Sequence, residues 1–173
     1  MVQVEMTHLM EGTKMQPKLL KRDAFTIVGY QFEASLVELE KNKLDLAYYN
    51  ELVLHKDLVP DRMTDEVTFI QSYPLTEHFN PRQDRFKHII GYKVRKALSL
   101  PDNMVSYTVP ACHYMKAKHM GSPQEIHDTH DYLFAFCEEH QEYTPLGFDL
   151  EEWSLSYNPF TSVNEVDVYL AVR

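Results

Sequence analysis

Residues 148–155 read Phe-Asp-Leu-Glu-Glu-Trp-Ser-Leu, three carboxylates beside Trp153, the sole tryptophan of the chain. If this stretch is a strand, alternate side chains go to opposite faces. Phe148, Leu150 and Glu152 then share one face, and Asp149, Glu151 and Trp153 the other. An acid next to a large aromatic on one sheet face has two readings. It is either a polar edge strand, where charge discourages sheet-to-sheet pairing, or the wall of a cleft. In a cleft an ionised carboxylate in apolar surroundings is costly unless paired. An organic cation supplies that pairing, and aromatic faces add cation–π attraction of about 0.5–2 kcal/mol each.

Other residues capable of chemistry give weaker signals. His127 and His130 stand three apart with Asp128 and Asp131 interleaved, but no H-E-x-x-H pattern or cysteine pair accompanies them. They read as a solvated helix face, and no metal site is expected. His113 and His119 read as satisfied or exposed. Cys112 and Cys137 lie in apolar surroundings, which suits reduced, buried thiols. There is no glycine-rich phosphate loop and no G-x-S-x-G, so neither nucleotide binding nor serine hydrolysis has support, and no cofactor is expected. A net charge of −9 disfavours direct nucleic-acid binding, which needs a basic patch. No stretch is apolar enough to span a membrane and the N-terminus lacks a secretory pattern, so a cytoplasmic location is expected.

The elements that would position these residues follow from pattern. Phe25–Phe32 is rich in β-branched and aromatic residues and predicts a strand. Helical spacing from Leu36 to about His55 predicts a helix with a break near Asn42, closed before Pro60. Strands are predicted over 65–74 and 85–95, with a turn at Asn80-Pro81 between them. Residues 104–121 read as strands broken at Pro110. Ser122, Pro123 and Glu125 then form a helix start, with the helix running to His140. Two closing strands follow, around 148–155 and 165–173. The order strand, helix, strand, strand thus occurs twice, in halves of about 15–98 and 103–173. This predicts an α+β fold of two like halves about a pseudo-two-fold, with a mainly antiparallel sheet, outer helices and a central cleft. The helix-free faces of the two half-sheets are expected to meet at that cleft.

The segments VGYQFEAS, RFKHIIGYKVR, YTVPACHYMKAKHMGSPQEI, LEEWS and EVDVYLAVR, in this order and spacing, resemble the GyrI-like, or AraC-type effector-binding, domains. The resemblance covers about residues 15–173 and implies a stand-alone small-molecule-binding domain of bacterial type, of the kind found in multidrug regulators of transcription. Three departures are visible: Ala171 stands where the closing strand usually has proline, His88 where the third strand usually has tyrosine, and the first helix lacks the leucine-tryptophan pair often seen there. By the resemblance, Glu151 is the central acid that engages cationic amphipathic ligands and Trp153 its aromatic neighbour. Tyr30, Phe69, Tyr73, Tyr92, Tyr114 and Tyr169 are further lining candidates; each alone fits core packing, and only the set suggests an aromatic cleft. The resemblance also implies two alternatives. One is hydrolysis of strained cyclopropane-type electrophiles with Glu151 as catalytic base; the other is a protein partner, either DNA gyrase or a regulator.

Residues 1–14 carry few core-grade apolar positions and are expected to form a tail. A chain begun at Met15 should melt within about a degree or two of the full chain, read by circular dichroism; a fall of many degrees would show that the tail packs into the fold.

Overall fold

A computed structural model describes residues 16–161 and 163–173; the expected tail, 1–14, lies outside the described residues. The strands are β1 (Lys18–Arg22), β2 (Phe25–Ala34), β3 (Arg62–Ser72), β4 (Phe86–Val94), β5 (Val105–Val109), β6 (Cys112–Gly121), β7 (Pro145–Trp153) and β8 (Asn164–Val172). The helices are α1 (Leu36–Asn42), α2 (Leu44–Leu54) and α3 (Ile126–Glu139). Local chemistry sets the helix boundaries. Ser35 Oγ accepts from the Glu38 N–H at 3.2 Å, and Glu38 returns a carboxylate to the Ser35 N–H at 2.9 Å. The break expected near Asn42 is at Lys43, whose left-handed backbone (φ 48°, ψ 48°) separates α1 from α2. Ser122 and Glu125 form a second capping box, although the first turn, Pro123–Glu125, is 3₁₀ and leads into α3.

The strands form one antiparallel sheet in the order β1-β6-β8-β7-β3-β4-β2-β5. The α+β class with its repeated halves is therefore as the sequence indicates. The two halves meet at the β3–β7 pair, where Phe69 lies opposite Glu151 and Gln71 opposite Asp149. The outermost strands are exchanged: β1 precedes β2 in sequence but pairs with β6, and β5 precedes β6 but pairs with β2. Only Asp23 and Ala24 join β1 to β2, and only Pro110 and Ala111 join β5 to β6. Three peptide steps reach at most about 11 Å, yet each link must pass between opposite flanks of an eight-stranded sheet. The sheet satisfies both by curling until its flanks approach each other.

That curl divides the interior in two. On one face the helices bury Leu39, Leu52, Ile126, Leu133 and Cys137 against Val28, Phe69, Trp153, Val168 and Leu170. On the reverse face, which carries no helix among the described residues, Ile27, Ile70, Ile89, Tyr114 and Leu150 are nevertheless fully buried, because the curled sheet covers itself. Arg22 lies there with its guanidinium carbon 4.6 Å from the Tyr169 ring centroid and 4.9 Å from that of Phe25, ion-paired to Glu152. Lys93 Nζ is 2.7 Å from the other Glu152 oxygen. Burial alone would raise the Glu152 carboxyl; the two cations outweigh it and hold it below its ordinary range. The expectation that helix-free faces meet at the cleft is corrected here. The half-sheets are continuous, so no two such faces exist to meet, and the cleft opens on the helix side of β3 and β7, walled by the helices.

Gly29 and Gly91 are opposite each other in the β2–β4 pair. A Cβ on Gly29 would stand 1.9 Å from Ile90 O, and one on Gly91 2.5 Å from Val28 O, both backbone atoms that cannot step aside. Gly91→Ala is therefore expected to cost about 3 kcal/mol or more, at or beyond the upper end of overpacking, measured as a lower urea midpoint; an unchanged midpoint would show that these strands can separate at no cost.

Candidate functional site

The alternation of β7 sends Asp149, Glu151 and Trp153 to the helix face, while Leu150 joins the reverse-face cluster and Glu152 its ion pairs. Glu151 is 4% exposed and both of its oxygens are engaged. Trp153, two residues on and on the same face, donates its indole N–H to Oε2 at 2.8 Å. His130 Nε2 lies 2.9 Å from Oε1. The acid and the tryptophan thus stand side by side because one holds the other's orientation.

His130 is buried, and its other nitrogen, Nδ1, faces Asp149 Oδ2 at 3.5 Å. The same Asp149 oxygen accepts from the Tyr73 hydroxyl at 3.3 Å. Burial by itself would lower the His130 pKa; the charge of Asp149 and hydrogen bonds to both carboxylates overcome it and push it up to about 10. The side chain is therefore an imidazolium between two carboxylates, and the group retains one net negative charge. The reading of His127 and His130 as a solvated helix face fails for His130. Ile126, His130, Leu133 and Cys137 form the buried stripe of α3, and this i, i+4, i+7 spacing in the sequence was the signal that placed His130 inward. His127 is half-buried at the cleft wall, 3.5 Å from Glu40. His119 is buried and satisfied, its ring nitrogens 2.9 Å from Thr129 Oγ1 and 2.8 Å from Ser122 O. Among the described residues no group of histidine, cysteine and acidic side chains is arranged to hold a metal ion.

Above this network the cleft encloses about 540 Å³, within the range of pockets that hold drug-sized molecules. Its floor is Phe69, Gln71, Glu151 and Trp153; α1 and α2 contribute Leu39, Asp45 and Tyr49; the start of α3 contributes Ile126 and His127. The loop after β7 places Tyr157, Pro159 and Phe160 at the mouth. The aromatic rings form a connected set: Tyr157 stacks on Trp153 at 4.6 Å, and Tyr49 is 5.5 Å from Trp153 and 5.6 Å from Tyr157. Burial raises the Asp45 carboxyl above its ordinary range, with the charge of Glu151 adding to it against the Leu46 N–H.

Of the residues singled out from sequence, Glu151, Trp153 and Phe69 line the cleft. The other five lie outside its lining. Tyr30 packs on Tyr48 with its hydroxyl 3.4 Å from His55 Nδ1. Tyr73 supports Asp149 from behind. Tyr92 is core, beneath Arg62. Tyr114 and Tyr169 meet edge to face at 6.0 Å on the reverse side of the sheet, because their strand positions have the opposite parity to the cleft-facing ones. Sequence reasoning did not find Tyr49, Tyr157, Asp45 or Gln71. Two of these lie on a helix whose lining face depends on the cleft being on the helix side.

The ion network has a pH consequence of definite sign. A histidine raised from its ordinary 6.5 to about 10 contributes stability that is complete below about pH 6.5 and is lost as pH rises through about 10. Urea midpoints of the wild type should fall across that window more steeply than those of His130→Gln, which should be destabilised by about 3–5 kcal/mol at pH 6 through leaving two carboxylates uncompensated. Parallel profiles would show that His130 does not titrate there.

Comparison with known proteins locates this geometry. The structure of SAV2435 bound to tetraphenylphosphonium superposes with a TM-score of 0.70 at 13% identity, covering 92% of this chain and 94% of that one. An integron cassette protein, Cass2, from Vibrio cholerae superposes with a TM-score of 0.59 at 14% identity, covering 92% and 97%. EcmrR, in its complex with DNA, superposes with a TM-score of 0.70 at 12% identity, over 99% of this chain and 63% of that one. At these identities the likeness is one of fold. A search of curated proteins finds no sequence match. Residues 18–172 match the family described as integron-associated effector binding protein, and the chain belongs to that family of small-molecule-binding, GyrI-like domains.

Proposed function

We propose that the chain binds organic cations with aromatic bulk in the cleft between its helices, with Glu151 as the counter-charge and Trp153, Tyr157, Tyr49 and Phe69 as the aromatic surround. One observation carries this reading: at the floor of an aromatic cleft, two buried carboxylates, Asp149 and Glu151, share a single imidazolium. The remaining negative charge is costly in that setting and a cation relieves it. Asp45 adds a further acid to the wall, and among the described lining residues Lys43 is the sole lysine or arginine. Tetraphenylphosphonium in SAV2435 shows that a like fold accommodates an aromatic cation. Between binding and hydrolysis the geometry favours binding. Each Glu151 oxygen already accepts from a protein donor, so what Glu151 offers the cleft is charge rather than a free base.

Glu151→Gln should weaken binding of a planar cationic dye such as rhodamine 6G by about 1–3 kcal/mol, the scale of losing a charged partner in a buried site, and should leave a neutral ligand of similar shape nearly unaffected. Fluorescence titration of both proteins reads this directly. Equal affinities of the two proteins for the dye would remove Glu151 from recognition and with it the cationic reading.

A further inference from the structure

One polar group on the cleft floor has no role in the ion network. Gln71, on β3, is 6% exposed and lines the cleft beside Glu151. Its amide orientation follows from a chain of neighbours. His88 Nε2 lies 3.0 Å from the Ala34 carbonyl oxygen, which can only accept, so Nε2 carries a proton. His88 is fully buried among Phe32, Phe69 and Phe86, and that burial holds it below its ordinary pKa, so the ring is neutral and Nδ1 offers a lone pair. Gln71 Nε2, 3.4 Å away, is therefore the donor to Nδ1, and Oε1 is the end turned the other way. Among the described residues Oε1 has no hydrogen-bond partner, and it is not one of the fully enclosed unpartnered atoms, which are Tyr114 Oη, Asp149 Oδ1 and Asp167 Oδ1. It is an unpartnered acceptor with surface left accessible, on a residue that lines the cleft.

Gln71 is opposite Asp149 in the β3–β7 register, which makes it the diagonal neighbour of Glu151 on the same face, a spacing of about 7–8 Å with Cβ atoms somewhat closer. A nitrogen bearing several N–H groups can sit between the two side chains and donate to both the carboxylate and the amide carbonyl. A quaternary onium ion satisfies the charge but leaves the carbonyl buried without a donor, which is penalised.

We infer that Gln71 is a specificity-determining residue of the cleft, and that its ligands are N–H-bearing cations, protonated amines, amidines or guanidines, selected over quaternary onium ions of the same shape. This rests on the cationic-ligand reading and narrows it. A site that hydrogen-bonds a ligand N–H discriminates against the analogue lacking it more sharply than an apolar pocket discriminates size.

The test uses two fluorescent monocations that differ only at the terminal nitrogen: dansylcadaverine, a primary ammonium, and its N,N,N-trimethylammonium counterpart, titrated at pH 7. Wild type should bind the primary ammonium about tenfold more tightly, the worth of a hydrogen bond to a buried acceptor. Gln71→Met, of similar length without the carbonyl, should bring the ratio close to one, whereas Asp45→Asn should weaken both probes and preserve it. Because Gln71→Met strands the His88 lone pair, the double variant Gln71→Leu/His88→Leu, which removes both partners, is made alongside and should give the same loss of preference. A wild-type ratio near one, or a tenfold ratio that survives in whichever of these variants folds, overturns the inference and leaves the cationic cleft standing. Failure of both probes to bind the wild type overturns the cationic reading and this inference together.

Discussion

The imidazolium of His130 between Asp149 and Glu151 is the interaction on which the site depends. It joins α3 to β7 through charge, while the apolar stripe of Ile126, Leu133 and Cys137 packs the helix on the neighbouring strands β6 and β8. Without the imidazolium two carboxylates would be buried side by side, a juxtaposition that ordinarily forces one to protonate. With it a positive charge stands between them, held by hydrogen bonds and charge to both. Trp153 completes the arrangement from the same strand, so the anion is fixed in orientation before any ligand arrives. Fixed donors and acceptors of this kind reduce the ordering cost of binding.

The reverse face solves the same problem differently. Glu152, the immediate neighbour of Glu151, is also withdrawn from water but is matched by Arg22 and Lys93. Two adjacent acids on one strand therefore have opposite fates: one is neutralised internally, the other is left with incomplete compensation. That contrast, more than the presence of an acid, sets the helix side apart and underlies the proposal that ligands bind there.

Much of this was legible in the sequence. The alternation in Phe148–Leu155 separates Glu151 from Glu152, and the capping boxes at Ser35 and Ser122 locate α1 and the start of α3. What was not legible is non-local. Period-two patterning tells which residues of a strand share a face but not which face of the sheet that is, so Tyr114 and Tyr169 could not be told from Phe69. His130 carried a signal in its helical spacing, but its partners lie on another element. His88 fills a ring of phenylalanines and fixes an amide that no local rule would have oriented.

The exchanged outer strands constrain how the molecule can respond to what it binds. Each half is completed by a strand whose chain runs, through a two-residue link, into the other half. A hinge needs a few residues free to absorb large backbone rotations, and links this short, anchored at both ends in the sheet, have little slack. The halves therefore cannot swing apart about the β3–β7 junction as two rigid bodies. Any adaptation to a bound molecule would fall to rotamers on the cleft floor and to the loop carrying Tyr157 and Phe160, because the cleft between the halves is largely preformed.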